Sequence, residues 1–391
     1  MTRPKILIVD DEPFNVDYLE QELEEADHET ITAANGREAL DQVQGEAPDL
    51  ILLDIMMPVM DGFEVLARLK ANPATRDIPV IVISAHSDLR SVVQGIQLGA
   101  EDYLPKPFEP TLLHARISSS LEKKRLRDLQ QLYLKSLERE LEIGREIQMG
   151  FLPAALPQVA GWEIAAYFKA AREVAGDFYD AFLLPDGNLA CVIGDVCGKG
   201  VGAALFMTLF RSLIRATATS DVSRSGEDMQ ALAPAERLRH VISFTNHYLV
   251  ETHGDANMFA TVFIGIFHLQ QGALTFINCG NEPPLLLKTG GVVSALQPTG
   301  PVVGMLPYAN FATKEIALEK NDLLLAFTDG IPDARNVEND FFGGERLLEL
   351  LKCGETTPAA LLKTIEERLR QFVGTADPFD DITLLAVKRD S

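Results

Sequence analysis

At 391 residues the chain is roughly two to three times the usual length of one domain, so at least two packed cores are expected and a single small module is excluded. Hydrophobic residues at 47% and charged residues at 24% are globular values, far from disordered, collagen-like or disulfide-dense compositions. With 35 basic against 57 acidic residues and a net charge of −22, the chain repels a phosphate backbone, and no nucleic-acid partner is expected.

The chain runs from Met1 directly into a strand-like stretch at 5–9, with no basic segment followed by an apolar one. No later apolar run approaches the roughly 18 to 20 residues that span a bilayer, so no membrane association is expected. Cys191, Cys197, Cys279 and Cys353 form no CxxC pair and no metal-ligand spacing, which suits a reducing, cytoplasmic location.

Between residue 4 and about 120, short apolar runs alternate with amphipathic stretches. The runs are Ile6-Leu7-Ile8-Val9, Leu50-Ile51-Leu52-Leu53 and Val80-Ile81-Val82-Ile83. Runs of this length without polar alternation predict strands buried on both faces, hence a parallel sheet with helices above and below. Asp10, Asp11, Asp54 and Ser84 follow the C-terminal ends of those runs, and Lys106 follows a later strand that ends near Tyr103-Leu104. That edge is where open α/β sheets bind ligands. Three carboxylates gathered there repel one another unless a hard cation such as Mg²⁺ sits among them. A carboxylate flanked by a metal and a lysine is also a nucleophile able to accept a phosphoryl group as an acyl phosphate.

These residues, with Asp54-Ile55-Met56-Met57-Pro58, Asp61-Gly62, Ser84-Ala85 and Lys106-Pro107-Phe108, resemble the receiver domain of two-component response regulators. The resemblance implies a doubly wound, parallel five-stranded α/β domain of flavodoxin-like type over 1–120, phosphorylated by a sensor histidine kinase. It makes Asp54 the phosphoacceptor. Mg²⁺ would be held by Asp11, Asp54 and the backbone carbonyl of Met56, with Asp10 acting through water. Ser84 and Lys106 would contact the phosphoryl oxygens, and Tyr103 would turn inward when Ser84 moves.

From 121 to about 151, Leu126, Leu129, Tyr133, Leu137 and Leu141 recur three or four apart, with no proline and only Gly144 as a breaker. The spacing predicts a long amphipathic linker helix over 121–150, ended by Pro153 and Pro157. Its thin stripe suits either a rigid spacer packed on its neighbours or the coiled-coil seam of a homodimer, with about three heptads available.

Beyond it, strand-like stretches at 189–193, 261–267, 273–278, 323–327 and 382–387 mix with helical ones at 202–216, 234–250 and 358–372, a pattern of α+β type. A polar loop is expected at 220–228. Four aspartate motifs stand in turn-like settings: Gly176-Asp177, Gly194-Asp195, Asp329-Gly330 and Asp380-Asp381. Acids projecting together from sheet ends require divalent cations, which lower the pKa of a bridging water and hold a phosphoryl group for attack. The Gly198-Lys199-Gly200 triplet lacks the Walker spacing and does not support ATP binding. The seven histidines, His86, His114, His247 and His253 among them, show no HxxxH or HxH spacing and are read as surface or core residues.

From about 145 to 388 the chain resembles the protein phosphatase 2C family, in the bacterial branch of stage II sporulation protein E. The motifs run from Gln148-Met149-Gly150-Phe151-Leu152-Pro153 through Val174-Ala175-Gly176-Asp177-Phe178-Tyr179-Asp180, Gly194-Asp195-Val196-Cys197-Gly198, Met258-Phe259-Ala260-Thr261, Asn278-Cys279-Gly280-Asn281 and Thr328-Asp329-Gly330 to Asp380-Asp381-Ile382-Thr383. The resemblance implies, over 151–391, a central β-sandwich flanked by helices and a centre of two Mn²⁺ or Mg²⁺ ions that hydrolyses phosphoserine or phosphothreonine. Asp177, Asp195, the Val196 carbonyl, Asp329 and Asp380 would hold the metals, with Asp381 as a second candidate at the last motif. The protein substrate implied is a phosphorylated anti-sigma-factor antagonist. Ala175 replaces a usual glycine, and Asn281 stands where an Ala-Gly-His motif usually supplies histidine. Asn281 gives some support to a rival reading, a non-catalytic adaptor built on the phosphatase fold.

Overall fold

The computed structural model describes residues 3–85, 89–220, 232–289, 291, 293–351 and 357–390. His86, Cys353 and the expected polar loop beyond Ser220 lie outside them. The chain divides into two compact units, one up to Glu138 and one from Arg139 onward.

In the first unit, β1 (Lys5–Val9), α1 (Pro13–Glu25), β2 (Glu29–Ala33), α2 (Gly36–Glu46), β3 (Leu50–Asp54), α3 (Gly62–Ala71), β4 (Val80–Ala85), α4 (Leu89–Gln97) and β5 (Asp102–Lys106) alternate strictly, and α5 (Pro110–Phe151) follows. The strands form one parallel sheet in the order β2-β1-β3-β4-β5. The apolar runs are buried on both faces, as their composition requires. Leu7, Val9, Ile51, Leu53 and Val82 pack with Val65, Leu66 and Leu69 of α3. Ile6, Ile8, Leu50, Leu52 and Ile81 pack with Leu19 and Leu23 of α1 and Leu113 and Ile117 of α5.

Two boundaries differ from expectation. Strand β5 continues to Lys106, so the lysine ends the strand rather than following it. The long helix begins at Pro110, not 121, because the segment that covers the sheet through Leu113 and Ile117 continues unbroken to Phe151, a run of 42 residues.

The second unit contains β6 (Trp162–Lys169), β7 (Asp177–Leu183), β8 (Leu189–Val196), α6 (Val201–Thr219), α7 (Pro234–His253), β9 (Ala260–His268) and β10 (Ala273–Cys279). It continues through β11 (Leu285–Leu287), β12 (Val293–Ala295), β13 (Lys314–Ala317), β14 (Leu323–Phe327), α8 (Gly343–Leu351), α9 (Pro358–Val373) and β15 (Ile382–Arg389). Two antiparallel sheets result, in the orders β13-β10-β9-β8-β7 and β12-β11-β14-β15-β6. Alternation along the strands sorts side chains into layers. Cys191, Ile193, Phe263 and Phe276 of one sheet meet Leu324, Ala326, Leu385 and Val387 of the other. On the outer face of the first sheet, Val192, Val196 and Ile264 pack on α6 and α7 through Met207, Phe210, Leu238 and Ile242. On the outer face of the second, Leu323, Leu325, Phe327 and Leu384 pack on Leu347 of α8 and Leu361, Ile365 and Leu369 of α9.

Contrary to the hydropathy expectation, α6 is long and apolar enough to cross a membrane, with a mean hydropathy of 1.3. Here Met207, Phe210 and Ile214 are among its buried residues, in the core shared with α7.

Candidate functional site

In the first unit, the ends of the four neighbouring strands β1, β3, β4 and β5 converge. Asp10 follows β1 and is buried, Asp11 is exposed, and Asp54 ends β3 with 6% of its surface accessible. Their carboxylate oxygens lie within 4.8 Å of one another, and among the described residues no other group of three His, Cys, Asp or Glu side chains is as tight. Lys106 Nζ bridges two of them, at 2.9 Å from Asp10 Oδ2 and 2.8 Å from Asp54 Oδ2. Burial pushes the Asp54 carboxyl upward and the nearby Asp10 charge adds to it, against the opposing pull of Lys106. The Lys106 ammonium is raised: burial acts to lower it, but hydrogen bonds to Asp54 and Asp10 prevail.

The Met56 backbone N–H donates to Asp54 Oδ1 at 3.4 Å. The Ser84 hydroxyl, at the end of β4, is buried without a hydrogen-bond partner among the described residues. A buried orphan donor beside a carboxylate suits an incoming phosphoryl oxygen. Tyr103 is half-buried on β5, with the Arg116 guanidinium 5.7 Å from its ring centroid. Gly62 allows α3 to press on the acid strand, since a β-carbon there would stand 2.2 Å from the Asp54 carbonyl oxygen. The sequence reading missed Asn15, whose Nδ2 donates to both Asp10 oxygens at 3.1 Å. Its only signal was its place in the first turn after Asp10-Asp11.

In the second unit, the acids come from both sheets. Asp177 opens β7 and faces Asp195 of β8 across the antiparallel ladder. Asp329 follows β14, and Asp380-Asp381 precede β15, its neighbour in the second sheet. Asp177 ties the sheets together: its Oδ2 accepts from the hydroxyls of Thr328 and Thr383, both at 2.6 Å. Burial first, and then the Asp195 charge, hold the Asp177 carboxyl well above the ordinary range. Burial together with Asp329, Asp380 and Asp381 pushes Asp195 up to about 7. Asp329 is pushed up to about 6 by burial and by Asp380, Asp333 and Glu282. The Val196 carbonyl oxygen closely approaches Gly176, where a β-carbon would be 2.8 Å from it.

The two candidates at the last motif differ in what they touch. Both Asp381 oxygens are occupied by backbone N–H groups, from Ala171 at 2.8 Å and Gly176 at 2.7 Å. Asp380 instead pairs with Lys199 Nζ at 2.8 Å and accepts the Asp381 N–H at 3.0 Å. Asp381 therefore braces the Asp177 loop, while Asp380 keeps a carboxylate among the acids.

The second-unit acids are spread more widely than the receiver trio and offer only carboxylate oxygens. An all-oxygen set of acids crowded at the sheet ends fits hard divalent ions, and the wider spread suits two ions rather than one. The sequence reading missed Lys199, set aside with its glycine triplet, and Glu282 and Asp333, whose spacing carried no motif.

The two departures from the family pattern prove to be brackets. Asn281 is buried and its Nδ2 donates to the Phe327 carbonyl at 3.1 Å and the Glu282 carbonyl at 2.9 Å, fixing the chain that leads to Thr328-Asp329. Ala175 is gripped by Gln148 of α5: Gln148 Nε2 donates to its carbonyl at 2.7 Å and Oε1 accepts its N–H at 3.0 Å.

The sequence profile of the stage II sporulation protein E (SpoIIE) family matches residues 185–390, and that of the response regulator receiver domain matches 6–118. Protein IcfG of Synechocystis is 42% identical over 263 residues, which cover 64% of this chain and 42% of IcfG. Response regulator PleD of Caulobacter vibrioides is 45% identical over 115 residues, 29% of this chain and 25% of PleD. The chain thus spans less than half the length of either relative. The SiaA-PP2C domain of Pseudomonas aeruginosa shares the fold, with a TM-score of 0.54 at 20% identity, covering 66% of this chain and 99% of that domain. The chain belongs to the stage II sporulation protein E family, its PP2C-type phosphatase domain preceded by a response-regulator receiver domain.

Proposed function

We infer that the protein is a metal-dependent phosphoserine or phosphothreonine protein phosphatase whose activity is set by phosphorylation of Asp54 by a sensor histidine kinase in the cytoplasm. The observation that carries this reading is the convergence of Asp177, Asp195, Asp329 and Asp380 from four strand ends, with no donor other than oxygen and with the Asp177, Asp195 and Asp329 carboxyls raised. Two Mn²⁺ or Mg²⁺ ions held by these residues and the Val196 carbonyl would supply an activated water and neutralise the phosphoryl charge.

The chain's own part is positioning. Thr328 and Thr383 orient Asp177 through its Oδ2. Asp381 fixes the loop before it, and Lys199 sets Asp380 by pairing with it and donating to the Phe379 carbonyl at 2.7 Å. In the receiver, Mg²⁺ held by Asp11, Asp54 and the Met56 carbonyl, with Asp10 acting through water, would offset the incoming phosphoryl charge, with Lys106 and Ser84 placed to take its oxygens.

The substrate we assign by family resemblance is a phosphorylated anti-sigma-factor antagonist. We favour activation through a homodimer seam on α5, where Leu126, Leu129 and Tyr133 are 57%, 62% and 64% exposed. The adaptor reading drew on Asn281, and a buried loop bracket favours neither reading. The test is Mn²⁺-dependent hydrolysis of p-nitrophenyl phosphate by wild type and Asp195→Asn. A fall of about 10²-fold or more is expected in the variant, and equal rates would sink the assignment.

A further inference from the structure

A cavity of about 130 Å³ lies in the second unit between α9, the second sheet and the segment before β15. Its wall includes Asp380 and Gly330, the residue after Asp329, so it adjoins the acid site. Its body is apolar, formed by Ile365, Leu369 and Val373.

Three cations line it, Lys169, Arg335 and Arg370, against two acids that are already engaged. Glu366 faces the Tyr167 hydroxyl and pushes its pKa up, after burial, and Asp380 pairs with Lys199. Among the described residues neither Lys169 nor Arg370 forms an ion pair. The Arg335 guanidinium is held between the rings of Phe379 and Phe341, 4.0 and 4.6 Å from their centroids, with its Nε buried and unpartnered. In a chain of net charge −22 this is a local reversal of sign beside the acid site.

Size narrows the occupant. The volume equals about four waters and falls well below the roughly 300 Å³ at which pockets for cofactors and drug-sized ligands begin. It suits one aliphatic side chain. An extended peptide advances about 3.3 Å per residue, so a phosphoserine at the acids brings its near neighbours to the cavity mouth.

We propose that this cavity selects the substrate: it takes an aliphatic side chain within one or two residues of the phosphoserine, and Lys169, Arg335 and Arg370 attract an acidic residue beside it. The proposal rests on the phosphatase reading and names the sequence class which that site accepts. Overall acidity would otherwise repel such a segment, and the cation cluster offsets that repulsion where the peptide must lie.

The test uses the full chain loaded with Mn²⁺ and two fluorescent heptapeptides that carry a non-hydrolysable phosphonate in place of phosphoserine. One has leucine and glutamate on both sides of it, the other alanine and lysine. Wild type is expected to bind the first about tenfold more tightly by anisotropy. Arg370→Glu, at an exposed position, and Val373→Trp, which fills the cavity, should each remove most of that preference while p-nitrophenyl phosphate turnover stays within about twofold. No preference in wild type, or a preference that both variants retain, overturns the proposal. Wild type that fails to turn over p-nitrophenyl phosphate counts against the phosphatase reading instead, and the anisotropy ratio still decides the cavity's role.

Discussion

At the scale of single residues, the second-unit acids set up a conflict between folding and charge. Asp195, pushed up to about 7, and Asp329, pushed up to about 6, start from an ordinary value of 3.8. Without metal, the folded protein holds more protons than the unfolded chain between those limits. Stability contributed by the protonated acids is therefore complete below about pH 4 and is lost as pH rises through 6 to 7. A tenfold difference in proton affinity between the folded and unfolded chain is worth about 1.4 kcal/mol, and because the acids share their repulsion the combined effect is on the order of a few kcal/mol. We predict that the urea midpoint of EDTA-treated protein falls between about pH 5 and pH 8, and that Mn²⁺ at the higher pH restores it. A midpoint that rises across this window without metal would contradict the assigned electrostatics. Gly330 adds a steric requirement, since a β-carbon there would stand 1.8 Å from the Asp381 carbonyl oxygen.

At the scale of elements, α5 reaches the acid site through one side chain. Gln148, 5% exposed, satisfies both backbone polar groups of Ala175, and the next residue, Gly176, donates to Asp381 and precedes Asp177. Replacing Gln148 by Leu leaves a buried N–H and a buried carbonyl without partners, a cost of about 2 to 4 kcal/mol concentrated on the Asp177 loop. Turnover of Gln148→Leu should drop about tenfold or more, with Asp54 still accepting a phosphoryl group, and Gln148→Glu, which keeps one of the two bonds, should lie between. Wild-type turnover in Gln148→Leu would show that the bracket has no bearing on the site.

The elements legible in the sequence were those buried on both faces. The central strands β1, β3, β4, β8, β9, β10, β14 and β15 announced themselves as apolar runs, whereas β2, β6, β7, β11, β12 and β13 escaped notice. Five of the six stand at sheet edges, where one side is less covered and the composition is correspondingly mixed, and β11 lies inside its sheet but spans only three residues. The acids were legible because each stands at or beside a strand end within a motif. Lys199 was not, since its role depends on Asp380, 181 positions later, and the brackets made by Gln148 and Asn281 depend on backbone partners that leave no trace in composition.

At the scale of the whole molecule, two sets of carboxylates with different geometry occupy one chain. The receiver trio is tight, within 4.8 Å, and is bridged by a lysine. The phosphatase set is wider and braced by threonines and backbone N–H groups. The first geometry suits one ion and a phosphoryl acceptor, the second suits two ions and a water. The division between the compact units falls at Glu138, inside the 42-residue α5, and the same helix carries Gln148. The central claim is that the state of Asp54 sets the rate at the second site. The measurement that tests it most directly is Mn²⁺-dependent hydrolysis of p-nitrophenyl phosphate by the full chain, with and without beryllofluoride to mimic phosphorylation of Asp54, using Asp54→Ala as the control. The account predicts that the mimic raises turnover several-fold in wild type and leaves Asp54→Ala unchanged. Identical turnover with and without the mimic, in protein that hydrolyses the ester and binds beryllofluoride, would contradict it.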